Sequence, residues 1–225
     1  LPGESFASPK AIVAVGENLN KVCDMLVKAQ NPEISPVDAD LPVIFNEYCT
    51  SWGNPTIENL EKTAKKLQGS GIRYLVMDSG WYKEDGKNWW DTIGDWNVSE
   101  QLFPEGLKPV NDMIKSYGLI PGIWFEMENV APLSAVYNET DHLLARQGVP
   151  LSVSGHRFLD MRDEWCVNYL DKKVIKLLAD SGYGYLKVDY NENIGVGCDG
   201  AESLGEGLRQ YVLGSQDYFK RIREK

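Results

Sequence analysis

The sequence predicts an α/β fold, a (β/α)8 TIM barrel that is incomplete in this chain and lacks its C-terminal strands. Three observations carry that expectation. Short apolar runs alternate with stretches of helical periodicity, the pattern of a parallel sheet covered by helices. Four of those runs end in residues suited to chemistry: Tyr48, Asp78, Trp124 with Glu126, and Lys187 with Asp189. A barrel gathers its active site at the C-terminal ends of its strands, which accounts for this shared address. A doubly wound sheet is the rival, but the loop after the first run, Cys49-Thr50-Ser51-Trp52-Gly53, has no glycine-rich phosphate fingerprint. A complete barrel takes about 250 residues, and roughly 180 remain once barrel-like sequence begins.

Residues 1–12 read as extended, with Pro2, Gly3 and Pro9. Leu19, Val22, Cys23, Leu26 and Val27 give helical spacing within a stretch from Ala11 to Gln30. The prolines between Asn31 and Pro42 mark a linker, so the chain divides into residues 1–41 and 42–225. Val43-Ile44-Phe45 is the first strand and ends in Asn46-Glu47-Tyr48. Asn54-Pro55-Thr56 starts a helix whose buried face is Leu60, Ala64 and Leu67. Arg73 to Asp78 is the second strand. The long loop from Tyr82 to Pro104 holds Trp89, Trp90, Asp95 and Trp96, and ordered loops of that length are usually functional. A helix over 107–117 leads to a third strand from Leu119 to Glu126. Residues 131–147 are expected to be helical. A short strand at Arg157–Asp160 and a helix from Trp165 to Ala179 precede the fourth strand, Tyr185–Asn191. A last helix spans Glu202 to Glu224.

The chain has 225 residues, 43% hydrophobic and 25% charged, as in ordinary globular proteins. A net charge of −10 argues against nucleic acid or an anionic membrane as partner, because both need basic patches. Seven Trp and eleven Tyr suit core packing, or stacking on the C–H faces of sugars. Four scattered cysteines and two histidines, without a CxxC pair, do not suit a zinc site, and free thiols are expected. Leu1-Pro2-Gly3-Glu4 lacks the basic and apolar regions of a signal peptide, so a cytoplasmic location is expected. It also lacks a starting Met, which suggests excision from a longer chain.

Alternate side chains of a strand share a face, so Lys187, Asp189 and Asn191 point together. A cation beside a carboxylate favours its ionised form, and Asn both donates and accepts. The set suits an ionised nucleophile or a hydroxyl-rich ligand; a solvated strand end is the plainer reading. Asp78-Ser79-Gly80-Trp81 puts a carboxylate in a tight turn, where it either meets ligand or bonds local backbone. Trp124 is a stacking ring or a core aromatic. Arg157 before Asp160 is a ligand clamp or half of a structural ion pair. Asp78, Glu126 and Asp189 also offer oxygen donors to a divalent metal, though Lys187 is a poor neighbour for a cation.

Taken in order, Asp78-Ser79-Gly80-Trp81, Gly94-Asp95-Trp96, Phe103 to Pro109, Gly122 to Glu126 and Lys187 to Asn191 resemble glycoside hydrolase family 36, the α-galactosidases of clan D. The likeness runs from about Leu41 to the C-terminus. It implies a retaining exo-α-galactosidase that acts through a covalent glycosyl-enzyme on oligosaccharides with terminal α-linked galactose. Asp189 matches the nucleophile. Tyr48, Asp78, Trp124, Arg157, Lys187 and Asn191 match substrate contacts, Arg157 only loosely. The acid/base Asp of the family lies on a later strand and is not in this chain. No metal or organic cofactor is implied, since two carboxyl groups suffice. Residues 1–41 match the connector and helix after an N-terminal β-sandwich domain. Any homo-oligomer would form through the full-length enzyme, and the fragment alone is expected to be inactive.

Of the departures from the family pattern, the first below bears on specificity for galactose and the second on packing. Ser79 stands where the family commonly has a second acid, and Val188 where it has a Trp. An α-N-acetylgalactosaminidase, a transglycosidase of the raffinose-synthase type and a non-catalytic carbohydrate-binding relic are the alternatives.

Overall fold

The computed structural model describes residues 3, 5, 10–31 and 35–224. The chain forms two compact units, Leu1–Pro42 and Val43–Lys225. The first contains α1 (Leu19–Gln30) and a 3-10 turn, Pro36–Asp38. The Asn18 side chain accepts a hydrogen bond from the Lys21 N–H at 3.1 Å, and this cap starts the helix eight residues later than the apolar spacing predicts. Most of the extended reading of residues 1–12, and the Pro32 end of the linker, fall outside the described residues.

In chain order the second unit contains β1 (Val43–Asn46), α2 (Tyr48–Ser51), α3 (Ile57–Leu67), β2 (Ile72–Met77), α4 (Lys108–Ser116) and β3 (Ile120–Phe125). The short strands β4 (Asn129–Val130), β5 (Ala145–Arg146), β6 (Val149–Pro150) and β7 (Arg157–Phe158) follow. Next come α5 (Glu164–Leu170), a π-helical stretch Asp171–Ile175, α6 (Lys176–Ser181), β8 (Tyr185–Val188) and α7 (Leu204–Arg223). β1, β2, β3 and β8 make one parallel sheet in that order. Its strands have the predicted addresses because each is an apolar run closed by polar residues.

The helices follow their caps. Thr56 accepts from the Asn59 N–H at 3.2 Å to begin α3, which buries Leu60 and Ala64. α4 buries Val110 and Ile114 and stops before Gly118, whose φ of 78° suits glycine. Cys166, Leu170 and Val174 form the buried face of the helix over 164–181. Each fully buried aliphatic side chain here stabilises by about 1.5–3 kcal/mol relative to exposure.

The helix expected over 131–147 does not form. Residues Ala135–Asn138 and Thr140–His142 are 3-10 turns, and β5 and β6 pair as a hairpin. Two local features override the apolar spacing. Asp95 accepts the Ala135 N–H through both carboxylate oxygens, at 3.0 and 2.9 Å, and so caps a turn there. Gln147 and Gly148 both have positive φ, 53° and 73°, which makes the tight hairpin turn.

The sheet is strongly curled. β2 and β8 are separated by β3, so a flat sheet would hold them about 9.6 Å apart. Yet the rings of Tyr74 and Tyr185 lie 5.1 Å apart, and Lys187 Nζ lies 2.8 Å from Asp78 Oδ2. Gly122 permits the approach. It is the register partner of both Val76 and Tyr185, and an added Cβ would sit 2.8 Å from Val76 Cγ2 and 3.1 Å from Tyr185 Cδ1. Among the described residues no helix is long and apolar enough to cross a membrane. All four cysteines are free.

Candidate active site

The C-terminal ends of the four parallel strands surround a small cleft of about 170 Å³, lined by Asn46, Tyr48, Asp78, Trp89, Trp124, Lys187, Asp189 and Asn191. Its volume equals roughly six water molecules. Strand register explains the assembly: Trp124 pairs with Lys187 across β3 and β8, and the Asp189 N–H continues the ladder to Phe125 O. Asp78 follows β2 directly.

Asp189 is held by three donors. Trp124 Nε1–H donates to Oδ2 at 3.0 Å, Asn191 Nδ2 donates to Oδ2 at 3.3 Å, and the Tyr190 N–H donates to Oδ1 at 2.9 Å. Trp124 is fully buried and wedged among Tyr82, Trp89 and Trp96, so its N–H is fixed in direction. The Trp81 indole donates to Trp124 O at 2.9 Å from below. Trp124 is therefore both core aromatic and cleft wall.

Lys187 corrects the expectation that it attends Asp189. Its ammonium pairs with Asp78, because the curl brings the end of β2 within reach of its long arm. Asp78 is buried, and its other oxygen accepts the Ser79 N–H at 2.8 Å, so the local-turn role and the cation pair coexist. The Asp78 N–H donates to Glu47 Oε1 at 3.0 Å. Glu47 is fully buried, and burial pushes its carboxyl above the ordinary range. It ties the end of β1 to the end of β2.

Glu126 and Glu128 lie behind this layer. Glu126 accepts from Asn191 Nδ2 at 3.1 Å and from the Glu192 N–H at 3.0 Å, which orients Asn191 toward Asp189. Glu128 Oε1 receives the hydroxyls of Tyr190, Tyr211 and Ser215 at 2.8, 3.3 and 3.3 Å. Burial raises both carboxyls. Among the described residues no group of three or more His, Cys, Asp or Glu is placed to hold a metal ion. Of the three carboxylates considered as metal ligands, Asp78 pairs with Lys187, while Glu126 and Asp189 share the Asn191 amide.

The sequence model of the Melibiase family matches residues 5–225, a span that includes every residue lining the cleft. The chain belongs to the melibiase family. It is similar to an alpha-galactosidase of Lactobacillus acidophilus, with 26% identity over 98% of this chain and 31% of that protein. An alpha-galactosidase of Escherichia coli is 28% identical over 76% of this chain and 24% of that protein. Among solved structures, the alpha-galactosidase AgaB of Geobacillus stearothermophilus superposes with a TM-score of 0.74 at 26% identity, over 85% of this chain and 27% of that one. A complex of AgaA from the same organism with stachyose gives 0.73 at 25% identity, over 83% and 27%. The chain thus spans about a third or less of the relatives it matches. With these neighbours, the curled parallel sheet is that of an incomplete TIM-barrel-like domain.

Of the melibiase residues selected from sequence, Tyr48, Asp78, Trp124, Lys187, Asp189 and Asn191 come together at the cleft. Arg157 does not line it. Its guanidinium donates to Tyr137 O at 2.8 Å and lies 4.1 Å from the Tyr137 ring centroid. Asp160 pairs with Arg162 instead, at 2.6 Å. Ser79 is buried away from the lining, its hydroxyl without a hydrogen-bond partner among the described residues. Two lining residues escaped the sequence reading. Asn46 shares the strand-end address, and its buried Oδ1 has no partner among the described residues. Trp89 comes from the long loop, where sequence marks a functional segment but not which indole turns inward.

Proposed function

We propose that the melibiase carrying this chain removes terminal α-linked galactose from oligosaccharides, with Asp189 as nucleophile and retention of anomeric configuration. The observation that carries this reading is a carboxylate fixed by three donors at the wall of a cleft formed by the strand ends. The solved relatives in complex with stachyose and raffinose support a galactoside as substrate.

In the proposed reaction a carboxylate oxygen of Asp189 attacks the anomeric carbon and forms an ester bond as the glycosidic C–O bond breaks. The leaving oxygen takes a proton from an acid about 5 Å away. That acid is supplied by a segment outside this chain, as the family resemblance implies, together with the strands that complete an eight-stranded barrel. Glu126 is not assigned the role: it does not line the cleft, and its oxygens accept from Asn191 and the Glu192 N–H. Water then attacks the ester and yields its proton to the same acid/base group. Asp78 and Lys187 bind ring hydroxyls as a preformed acceptor and donor pair, and Asn46 Oδ1 accepts a further hydroxyl.

The test is Asp189→Gly in the full-length enzyme. Turnover of an aryl α-galactoside should fall by about 10⁴-fold. Azide should restore it and give the β-galactosyl azide, because a small anion then occupies the place of the missing carboxylate. Activity within a few-fold of the parent would remove Asp189 from the role.

A further inference from the structure

Trp52 is 71% exposed, the most exposed of the tryptophans beside the cleft. An indole beside a cleft offers an apolar face on which the C–H groups of a sugar ring can stack. Its backbone sharpens the point. Trp52 has φ 53° and ψ 43°, a left-handed conformation uncommon for a bulky residue. Strain of this kind persists only where the surroundings impose it, and it concentrates at ligand sites.

The surroundings here are rigid. The Trp52 N–H donates to Tyr48 O at 2.7 Å, closing α2. The next residue, Gly53, has φ 80°, and an added Cβ would lie 2.2 Å from Trp89 Cδ1. Gly80 presses on the same turn, since its own added Cβ would lie 2.1 Å from Gly53 O. The turn is thus clamped between the Trp89 indole and the Asp78–Trp81 turn, both parts of the cleft wall. Tyr48 bridges Trp52 to the cleft. Its ring lies 5.6 Å from Trp52 and 6.2 Å from Trp89, edge-on to each.

The geometry points to Trp52 as a stacking platform for the second sugar ring of the substrate, the ring that departs when the terminal galactose is cleaved. This rests on the α-galactosidase reading above and deepens it. In the proposed reading the terminal ring lies against Asp189, so the next ring of an oligosaccharide emerges toward the rim, one aromatic beyond the lining. An indole already fixed in place there offers its face without the entropic cost of ordering a loop.

The experiment compares the full-length enzyme with its Trp52→Ala and Trp52→Phe variants on two substrates, raffinose and α-galactosyl fluoride. The fluoride has no second ring. The ratio of kcat/KM for raffinose to that for the fluoride should fall about tenfold in Trp52→Ala, mostly through KM. Trp52→Phe should recover most of it. An unchanged ratio, whether both substrates keep their rates or lose them together, overturns the platform. If the parent enzyme turns over neither substrate, the α-galactosidase reading falls, and the platform with it. A lost ratio that Phe does not restore also overturns it, because the effect is then not that of an aromatic face.

Discussion

Trp124→Phe separates the two roles of the indole. Phe keeps an aromatic body in contact with Tyr82, Trp89 and Trp96 but removes the N–H that donates to Asp189 Oδ2 at 3.0 Å. A hydrogen bond to a charged group contributes about 1.5–3 kcal/mol. Oδ2 retains the Asn191 contact, which is longer at 3.3 Å, and Oδ1 retains the Tyr190 N–H. The loss is therefore set near the middle of that range, about 2 kcal/mol, which is about 30-fold in kcat/KM. Asn191→Ala removes the longer bond to Asp189, together with the contact to Glu126, and should cost less, about fivefold. The double variant should lose more than the product of the two, because Oδ2 is then bare. The assay is steady-state hydrolysis of an aryl α-galactoside by the full-length enzyme, with thermal unfolding as a control for packing. Trp124→Phe within threefold of the parent in kcat/KM, with a lowered Tm, would mean that the indole only packs.

Three further outcomes are expected. Lys187→Met strands the buried Asp78 carboxylate; since the Lys side chain is 32% exposed, the cost should lie below the full value for a buried pair, at about 2 kcal/mol, or roughly 5 °C in Tm, and largely vanish in Asp78→Asn/Lys187→Met. Glu128 has its carboxyl raised by burial, so its contribution to stability is full below the unfolded-state value and is lost as pH rises through the folded one. Glu128→Gln keeps an oxygen for the three hydroxyls, and its Tm relative to the parent should become more favourable between about pH 5 and pH 7; a difference independent of pH would refute this. Gly122→Ala should force Val76 and Tyr185 aside, lowering stability by about 1–3 kcal/mol and weakening inhibition by free galactose; unchanged inhibition would show that the strands need not approach.

Much of the fold could be read directly. Apolar runs closed by polar ends located β1, β2, β3 and β8, since parallel strands buried on both faces are nearly continuous in hydrophobicity. Where local capping governed, the reading failed. Asn18 delayed α1, and Asp95 with the Gln147-Gly148 turn replaced a helix by a hairpin. The residues of the cleft were legible because strand ends converge in this topology. Their pairing was not, because it depends on curvature. Period-two alternation puts Lys187 beside Asp189, whereas the curl gives it to Asp78. Glu47 and Asn46 were passed over for a related reason: their importance appears only when the end of β1 meets the end of β2.

Gly122 has a further consequence. A missing side chain in the middle strand lets its two neighbours touch, so the Lys187–Asp78 pair works as a caliper across three strands. Both of its residues line the cleft. The Tyr74–Tyr185 contact spans the same three strands. A flattening that parts those two rings would open the caliper as well. The cleft is thereby coupled to packing deeper in the sheet, with no moving loop required to carry the signal.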